Sequence, residues 1–472
     1  MAASNTAPQE SPALLRQLGV VSATALVVSN IIGVGIFTST GFLAADLGDP
    51  KLILLIWVAG ALCAMAGAFC YSELGVNFPS SGGEYVYLTR AFGPTWGFMT
   101  GWLSFVAGFA APIATNALAC AAYLSYFFPA WRDPANLTVI GSDPFVIRVG
   151  GPQLFSVLLV IFFTILNIVG LHWSARVQNV LTGTKLAVIF GFIVLGLSVG
   201  KGDWGNFSQV IERSTPSTSV SEQFALSLFW IYVSYSGWNA ATYVAEELKN
   251  PARTLPIALA LGTTIAATLF VILNVVYIYA SPMATMKGVF AIGSLTAERL
   301  FGPEAAGVFS ALMALALLAS VNSMVTIGPR VYYAMARNGA FFAGAGKVHP
   351  KYHTPVNSII WQGLMTMVML LTPFRDLMDY IGFTLNISAV MAVSSLFFLR
   401  KRPGWQKLKV VDFLFPLVPA LFVLVGLWIT YQGLTKKPVV SFAGLGTVAI
   451  GAVIYHMRIK QKGGNGDLEA AS

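Results

Sequence analysis

Two short stretches of this chain combine residue types that open a helix and bind small molecules. Asn30-Ile31-Ile32-Gly33-Val34-Gly35-Ile36-Phe37 places paired glycines inside a long apolar run, and Ser234-Tyr235-Ser236-Gly237-Trp238-Asn239 interrupts another. Glycine costs about 1 kcal/mol relative to alanine inside a helix, but it frees the backbone and admits a ligand where a Cβ would stand. An opened turn presents amide hydrogens from one half-helix and carbonyl oxygens from the other. In apolar surroundings such groups persist only where they line a cavity or meet protein partners. The ligand they suit has an anionic and a cationic end, as an α-amino acid does. Its carboxylate would face the amides of Gly33, Val34, Gly35 and Ile36 at the positive end of a half-helix, and its ammonium the carbonyls near Ile32 and Val233. The competing reading is close helix packing, which single small-residue pairs commonly serve. The third residue with chemistry is Lys185, about nine residues inside an apolar run, or about 13 Å at 1.5 Å per residue. At that depth a lysine either snorkels to the interface or has a function in the membrane.

The elements that hold these residues are membrane helices. The 472 residues are 56% hydrophobic and 10% charged, against about 25% charged in soluble domains. A water-soluble surface cannot be built from this composition. The net charge of +9 is spread over short interhelical loops and the tail, which argues for membrane orientation and against nucleic acid as a partner. Cys63, Cys70 and Cys120 all fall in apolar runs, so neither a disulfide framework nor a metal site is expected, and no cofactor is implied. The segment before Leu18 is polar and predicts no cleavable signal peptide.

A hydrocarbon core of about 30 Å needs about 20 apolar residues of helix. Windows of that kind predict helices near 19–44, 52–77, 95–128, 152–172, 178–200 and 222–246, then near 255–280, 304–335, 356–372, 377–399, 412–431 and 439–458. The expected fold class is therefore an all-α integral membrane protein of about 12 transmembrane helices. The two interruptions fall in the first and sixth helices. Comparing residues 19–200 with 222–399 gives two five-helix halves with the interruptions and the two longest helices at matching places. Five is odd, so the halves insert in opposite senses, an inverted repeat with discontinuous first and sixth helices. The domain reading is a tail over 1–17, repeats over 18–200 and 201–402, two further helices over 403–460, and a tail over 461–472. Of the 28 lysines and arginines, 17 fall on the side shared by both termini and 10 on the other, with Lys185 between them. That bias predicts cytoplasmic termini.

Several separated motifs resemble the amino acid-polyamine-organocation superfamily, and within it the L-type amino acid transporters. They are Ile31 to Phe37, Tyr71-Ser72-Glu73-Leu74-Gly75, Pro79 to Leu88 around Gly82-Gly83-Glu84, Arg176 to Val180, Gly237-Trp238-Asn239, Glu246 to Pro251, Ser320-Val321-Asn322 with Arg330, and Thr354-Pro355-Val356. The resemblance spans residues 19 to about 402. It implies a leucine-transporter-type fold and sodium-independent movement of amino acids. It also implies that the Lys185 ammonium stands where sodium-coupled relatives hold sodium, bridging the first helix near Gly33 to the eighth near Asn322 and Ser323. A fixed cation there would tie the broken helix to the scaffold, and it is also a candidate for exchanging a proton.

Two departures matter. Relatives place an aromatic gate in the sixth helix where this chain has Val233, with Phe229, Trp230 and Tyr232 within a turn. Animal L-type members pair by disulfide with a heavy subunit through a cysteine after the third helix, but residues 129–151 hold no cysteine. The chain therefore reads as a bacterial, stand-alone relative in the cell inner membrane, with no disulfide-linked heavy subunit. The expected substrate site comprises Ile32, Gly33, Val34, Gly35, Ile36, Phe229, Tyr232, Val233, Ser234, Tyr235, Ser236, Gly237 and Asn239, and the expected coupling site Lys185, Asn322 and Ser323. Glu73, Glu84, Glu246 and Glu247 read as gate-pairing carboxylates for Arg330 and Arg337. No acidic residue lies midway along the first, third, sixth, eighth or tenth helix, so the reading is an alternating-access carrier of neutral amino acids, by exchange or proton symport, and not an enzyme. The alternatives are a cationic amino acid or polyamine carrier and, from a different class, an amino acid receptor.

Overall fold

In a computed structural model of the chain, the described residues are 16, 18–80, 82–142, 145–169 and 171–459. The chain enters as α1 (Val20–Ile31), leaves helical geometry at Ile32 and Gly33, and resumes as α2 (Val34–Leu47). Pro50 then starts α3 (Pro50–Asn77), where a missing N–H costs nothing because the first turn has no partner for it. A short α4 (Glu84–Phe92) precedes α5 (Pro94–Leu103), which continues through a π-helical stretch, Ser104–Ala110, into α6 (Ala111–Leu124). The connection that follows contains an antiparallel hairpin, β1 (Thr138–Ser142) with β2 (Phe145–Val149), absent from the sequence-based expectation. The first half ends with α7 (Gly151–Val169) and α8 (Leu171–Ser198).

The second half opens on α9 (Val220–Tyr235), whose start is set by a capping box between Ser219 and Glu222. Ser236 to Asn239 break the helix, and a tighter 3-10 segment, Ala240–Glu247, carries the chain on. Then follow α10 (Pro251–Ala280), the short α11 (Met283–Met286) and α12 (Ile292–Phe301), and the 35-residue α13 (Pro303–Arg337). The half closes with α14 (Val356–Met369) and α15 (Phe374–Leu399). Beyond it lie α16 (Lys409–Phe413), α17 (Leu417–Lys436) and α18 (Pro438–Ile454).

Ten helices among the described residues are long and apolar enough to cross a membrane, counting α1 with α2 and α5 with α6 as single spans. The two remaining predicted spans are shorter: α14 has 14 residues, and the sixth is divided by its break. The eleventh helix starts later than expected, at Leu417, because Pro416 ends the preceding turn and sets the new one. The interior is built by α1, α2, α9 and α13, with α10 along α1 and α3, and α13 against α6 and α8. Outward faces such as Leu154, Leu158 and Phe162 of α7 are exposed and apolar, as a lipid-facing surface requires.

Candidate functional site

The break in the first helix is held from behind by Lys185. Its side chain is fully buried on α8, and Nζ donates to the Ser29 carbonyl at 3.2 Å, the Ile32 carbonyl at 2.5 Å and Ser320 Oγ at 2.9 Å. Ser320 Oγ in turn donates to the Ile32 carbonyl at 2.9 Å. An ammonium has three N–H donors, and here each meets an oxygen, two of them carbonyls at the C-terminal, partially negative end of α1. Snorkelling to an interface is not what this side chain does. Its partner on α13 is Ser320 and not Asn322 or Ser323. Successive helical residues turn by about 100°, so Asn322 faces a different neighbour. Asn322 donates to Gln178 Oε1 at 2.8 Å and accepts from Asn167 Nδ2 at 3.0 Å, while Ser323 Oγ accepts from Asn30 Nδ2 at 2.9 Å.

The far side of the break is capped by a residue the sequence reading missed. Asn116 of α6 accepts from the Val34 amide at 3.0 Å, through an oxygen fixed because its Nδ2 donates to the Pro112 carbonyl at 2.8 Å. A polar residue amid alanines in the third helix was the only available signal. Gly35 lies directly on Ser234, where a Cβ would overlap both the side chain and the backbone of α9, and Ser39 Oγ lies 3.3 Å from Ser234 Oγ. Gly33 faces Asn116 and Ser320 instead, and both Gly33 and Ile36 are buried. In this conformation α2 is closed against α9.

At the second break, the Val233 carbonyl accepts from the Ser236 amide at 3.1 Å and from Ser236 Oγ at 2.6 Å. The carbonyls of Ile32 and Val233, expected to receive an ammonium, are therefore already engaged within the protein. Gly237 has φ 98°, and a Cβ there would stand 2.8 Å from the Asn30 backbone, so the second break packs against the last turn of α1, just ahead of the first break. Only glycine combines that backbone conformation with that approach.

One cavity opens beside this meeting point. Its walls include Asn30 and, from the sequence-predicted set, Tyr232, Ser236, Gly237 and Asn239, joined by Glu84, Ser104, Phe109, Met324, Leu385 and Ser388 from four other elements. Ile32, Gly33, Val34, Gly35, Ile36, Phe229, Val233, Ser234 and Tyr235 do not line it. Phe229 turns instead toward Phe383 of α15 at 6.1 Å, and Tyr235 donates to the Trp57 carbonyl at 3.0 Å. Val233 is buried and does not line the opening, whose aromatic walls are Tyr232, Phe109, Trp238 and Tyr243.

Against known proteins, residues 18–452 match the amino acid permease family. The chain belongs to that family. The permease is 28% identical over 458 residues to the large neutral amino acids transporter small subunit 2 of Mus musculus, covering 95% of this chain and 82% of that one. It is 29% identical over 422 residues to the serine/threonine exchanger SteT of Bacillus subtilis (strain 168), covering 88% and 90%. It is 28% identical over 459 residues to the human cystine/glutamate transporter, covering 96% and 87%.

The cavity end of the permease is fastened by ion pairs whose partners differ in part from those expected. Arg330 of α13 meets Glu247 at 3.1 Å, linking the 3-10 segment to the scaffold. Glu73, fully buried, is held by Arg400 through Nε at 2.6 Å and Nη2 at 2.7 Å, by Trp405 Nε1 at 2.8 Å and by the Leu408 amide at 3.1 Å, and not by Arg330 or Arg337. Leu18 accepts from the Lys249 amide at 3.0 Å and donates to the Glu247 carbonyl at 2.9 Å, so Leu18, just ahead of α1, is bound to the same place. Among the described residues no cluster of histidine, cysteine, aspartate and glutamate has the makings of a metal site.

Proposed function

We propose that this permease moves neutral amino acids across the cell's inner membrane by alternating access, independently of sodium. The observation that carries the reading is the approach of Gly237, in the break after α9, to Asn30 in the last turn of α1 just ahead of the first break, both on the wall of one cavity. A helix break is stabilised where a ligand or a cavity takes up its freed polar groups, and the relatives are named as amino acid transporters or exchangers. Opening of α2 from α9 would free the amides of Gly33 to Ile36 for a carboxylate. The ammonium would meet the carbonyl edge of α1 around Asn30. Lys185 takes the place of a bound sodium ion by bridging α1, α8 and α13. Glu84 on the wall, held by Asn239 Nδ2 at 2.6 Å and Tyr243 at 2.7 Å, would also suit a cationic substrate side chain; the neutral reading is preferred because relatives are named as a large neutral amino acids transporter and a serine/threonine exchanger. Both termini are assigned to the cytoplasm from the basic residues. No disulfide-linked heavy subunit is assigned, since Cys63, Cys70 and Cys120 lie inside helices.

The test is uptake of labelled amino acids by the purified protein in liposomes, empty or loaded with unlabelled amino acid, with and without a pH gradient. Uptake only into loaded liposomes establishes exchange, and gradient-driven uptake into empty ones establishes proton symport. Saturable binding with no accumulation under either condition would overturn the carrier reading in favour of a receptor.

A further inference from the structure

Glu84 stands out among the cavity-lining residues because it is the charged one. The other described lining residues are neutral, and none of the ion pairs among the described residues includes Glu84. Lys185, buried on α8, commits its three donors to α1 and α13. The Glu84 side chain is buried, and its two oxygens are separately occupied: Oε1 accepts from Asn239 Nδ2 at 2.6 Å and Oε2 from the Tyr243 hydroxyl at 2.7 Å. Asn239 also donates to the Tyr243 hydroxyl at 3.0 Å, which fixes both donors. Donors on both oxygens favour the ionised form.

We infer that Glu84 is a specificity-determining residue that excludes amino acids with anionic side chains by placing one uncompensated negative charge on the cavity wall. This rests on the reading of the cavity as the path of an amino acid. A second negative charge brought into a partly desolvated space meets a repulsion much larger than in water, with no cation nearby to relieve it. Neutral side chains meet no such repulsion. The titratable groups facing Glu84 are Tyr71 of α3, Tyr87 of its own helix and Tyr243 of the 3-10 segment. The lining residues of the π-helical stretch, α13 and α15 add none. Glu84 lies on α4, between two spans; burial raises its carboxyl above the ordinary carboxylate value, and the hydrogen bond from Tyr243 opposes that rise. The charge is present above its pKa and lost as pH falls through it, so the exclusion weakens in acid.

The probe is cysteate, whose sulfonate stays ionised across the working range, compared with asparagine, which has similar size and no side-chain charge. Both compete with a labelled neutral substrate for binding to the purified protein in detergent from pH 8 to pH 4.5. In the wild type, cysteate should compete at least about tenfold more weakly than asparagine at pH 8, with the ratio narrowing as pH falls. Glu84→Gln should narrow the ratio at pH 8 and remove its pH dependence. Tyr243→Phe keeps the carboxylate but removes a donor to its ionised form, so the midpoint of the pH dependence should move to higher pH. That variant tests the idea even where Glu84→Gln fails to fold. Equal competition by the two probes in the wild type at pH 8, or the same discrimination and pH dependence in Glu84→Gln, overturns the inference while leaving asparagine binding, and with it the proposed function, intact. Absence of any amino acid binding by the wild type instead sinks the proposed function, and the inference with it.

Discussion

Lys185 contributes through geometry that few residues can reproduce. Its three hydrogen bonds join α8 to the last turn of α1 and to Ser320 of α13, and bonds to a charged donor are each worth about 1.5–3 kcal/mol. Methionine fills much of the same apolar volume but offers no donor, so Lys185→Met should remain folded on size exclusion while substrate transport falls at least about tenfold. Ser320→Ala, which leaves the ammonium two carbonyl partners, should have the smaller effect. If Lys185 also carries a proton, an inward proton gradient should accelerate wild-type uptake into empty liposomes and have no effect on the variant. Wild-type rates for Lys185→Met at every pH would show that the bridge is dispensable. The glutamate held by the most donors in the described residues is Glu73. Arg400→Ala would leave that carboxylate buried without its cation, a loss of about 3–5 kcal/mol, so its thermal unfolding midpoint in detergent should drop by several degrees. An unchanged midpoint would mean that Trp405 Nε1 and the Leu408 amide suffice.

At the scale of elements, α2 packs directly on α9, and under the proposed alternating access this contact would be one that opens. It depends on Gly35, because any side chain there overlaps Ser234. The sequence reading assigned Gly35 to a carboxylate site, whereas in this conformation it is the seat of a helix contact; the two roles are compatible if the helices separate during the cycle. Gly35→Ala should hold α2 off α9. With Cys63, Cys70 and Cys120 replaced by alanine and a cysteine placed at Ser39, labelling by a membrane-impermeant maleimide should then accelerate severalfold, and transport should fall at least about tenfold. Equal labelling and transport with and without the Gly35→Ala substitution would exclude a gating role for this contact. At the opposite end, Glu247 and Arg330 tie the 3-10 segment to α13 at 3.1 Å. Part-exposed pairs of this kind contribute little to stability, so that pair is better placed to open and close than the buried Glu73 pair.

For the whole molecule, the cation that fixes the broken helix is part of the chain. Replacing sodium by choline in the assay should change substrate affinity less than twofold, because the three oxygens around Nζ are already occupied. A sodium-dependent rise in affinity would mean that an ion is bound elsewhere. The cavity is bounded by α1, α4, α9, the 3-10 segment, the π-helical stretch, α13 and α15, so a substrate held there would touch elements from the start of the chain to α15. Outside the cavity, α2 packs against α9, α11 and α12.

Composition and hydropathy alone determined that the chain is an all-helical membrane protein, because a residue's cost in lipid is set locally and needs no knowledge of its neighbours. The two breaks were legible for a similar reason: Gly33, Gly35 and Gly237 weaken a helix whatever surrounds it. Lys185 could be singled out because a charge at that depth demands a partner. Which partner it takes depends on the rotation and height of α13 against α8, which brings up Ser320 and turns Asn322 toward Gln178 and Asn167. The same holds for Asn116, whose role exists only once α6 is packed against the start of α2. Glu84 was read as a carboxylate at a helix end, and the tertiary structure alone brings it to the cavity, between Asn239 and Tyr243. Helix existence is a one-dimensional property of burial in lipid, whereas a binding wall is assembled from residues far apart in the chain, and that assembly is decided by helix packing.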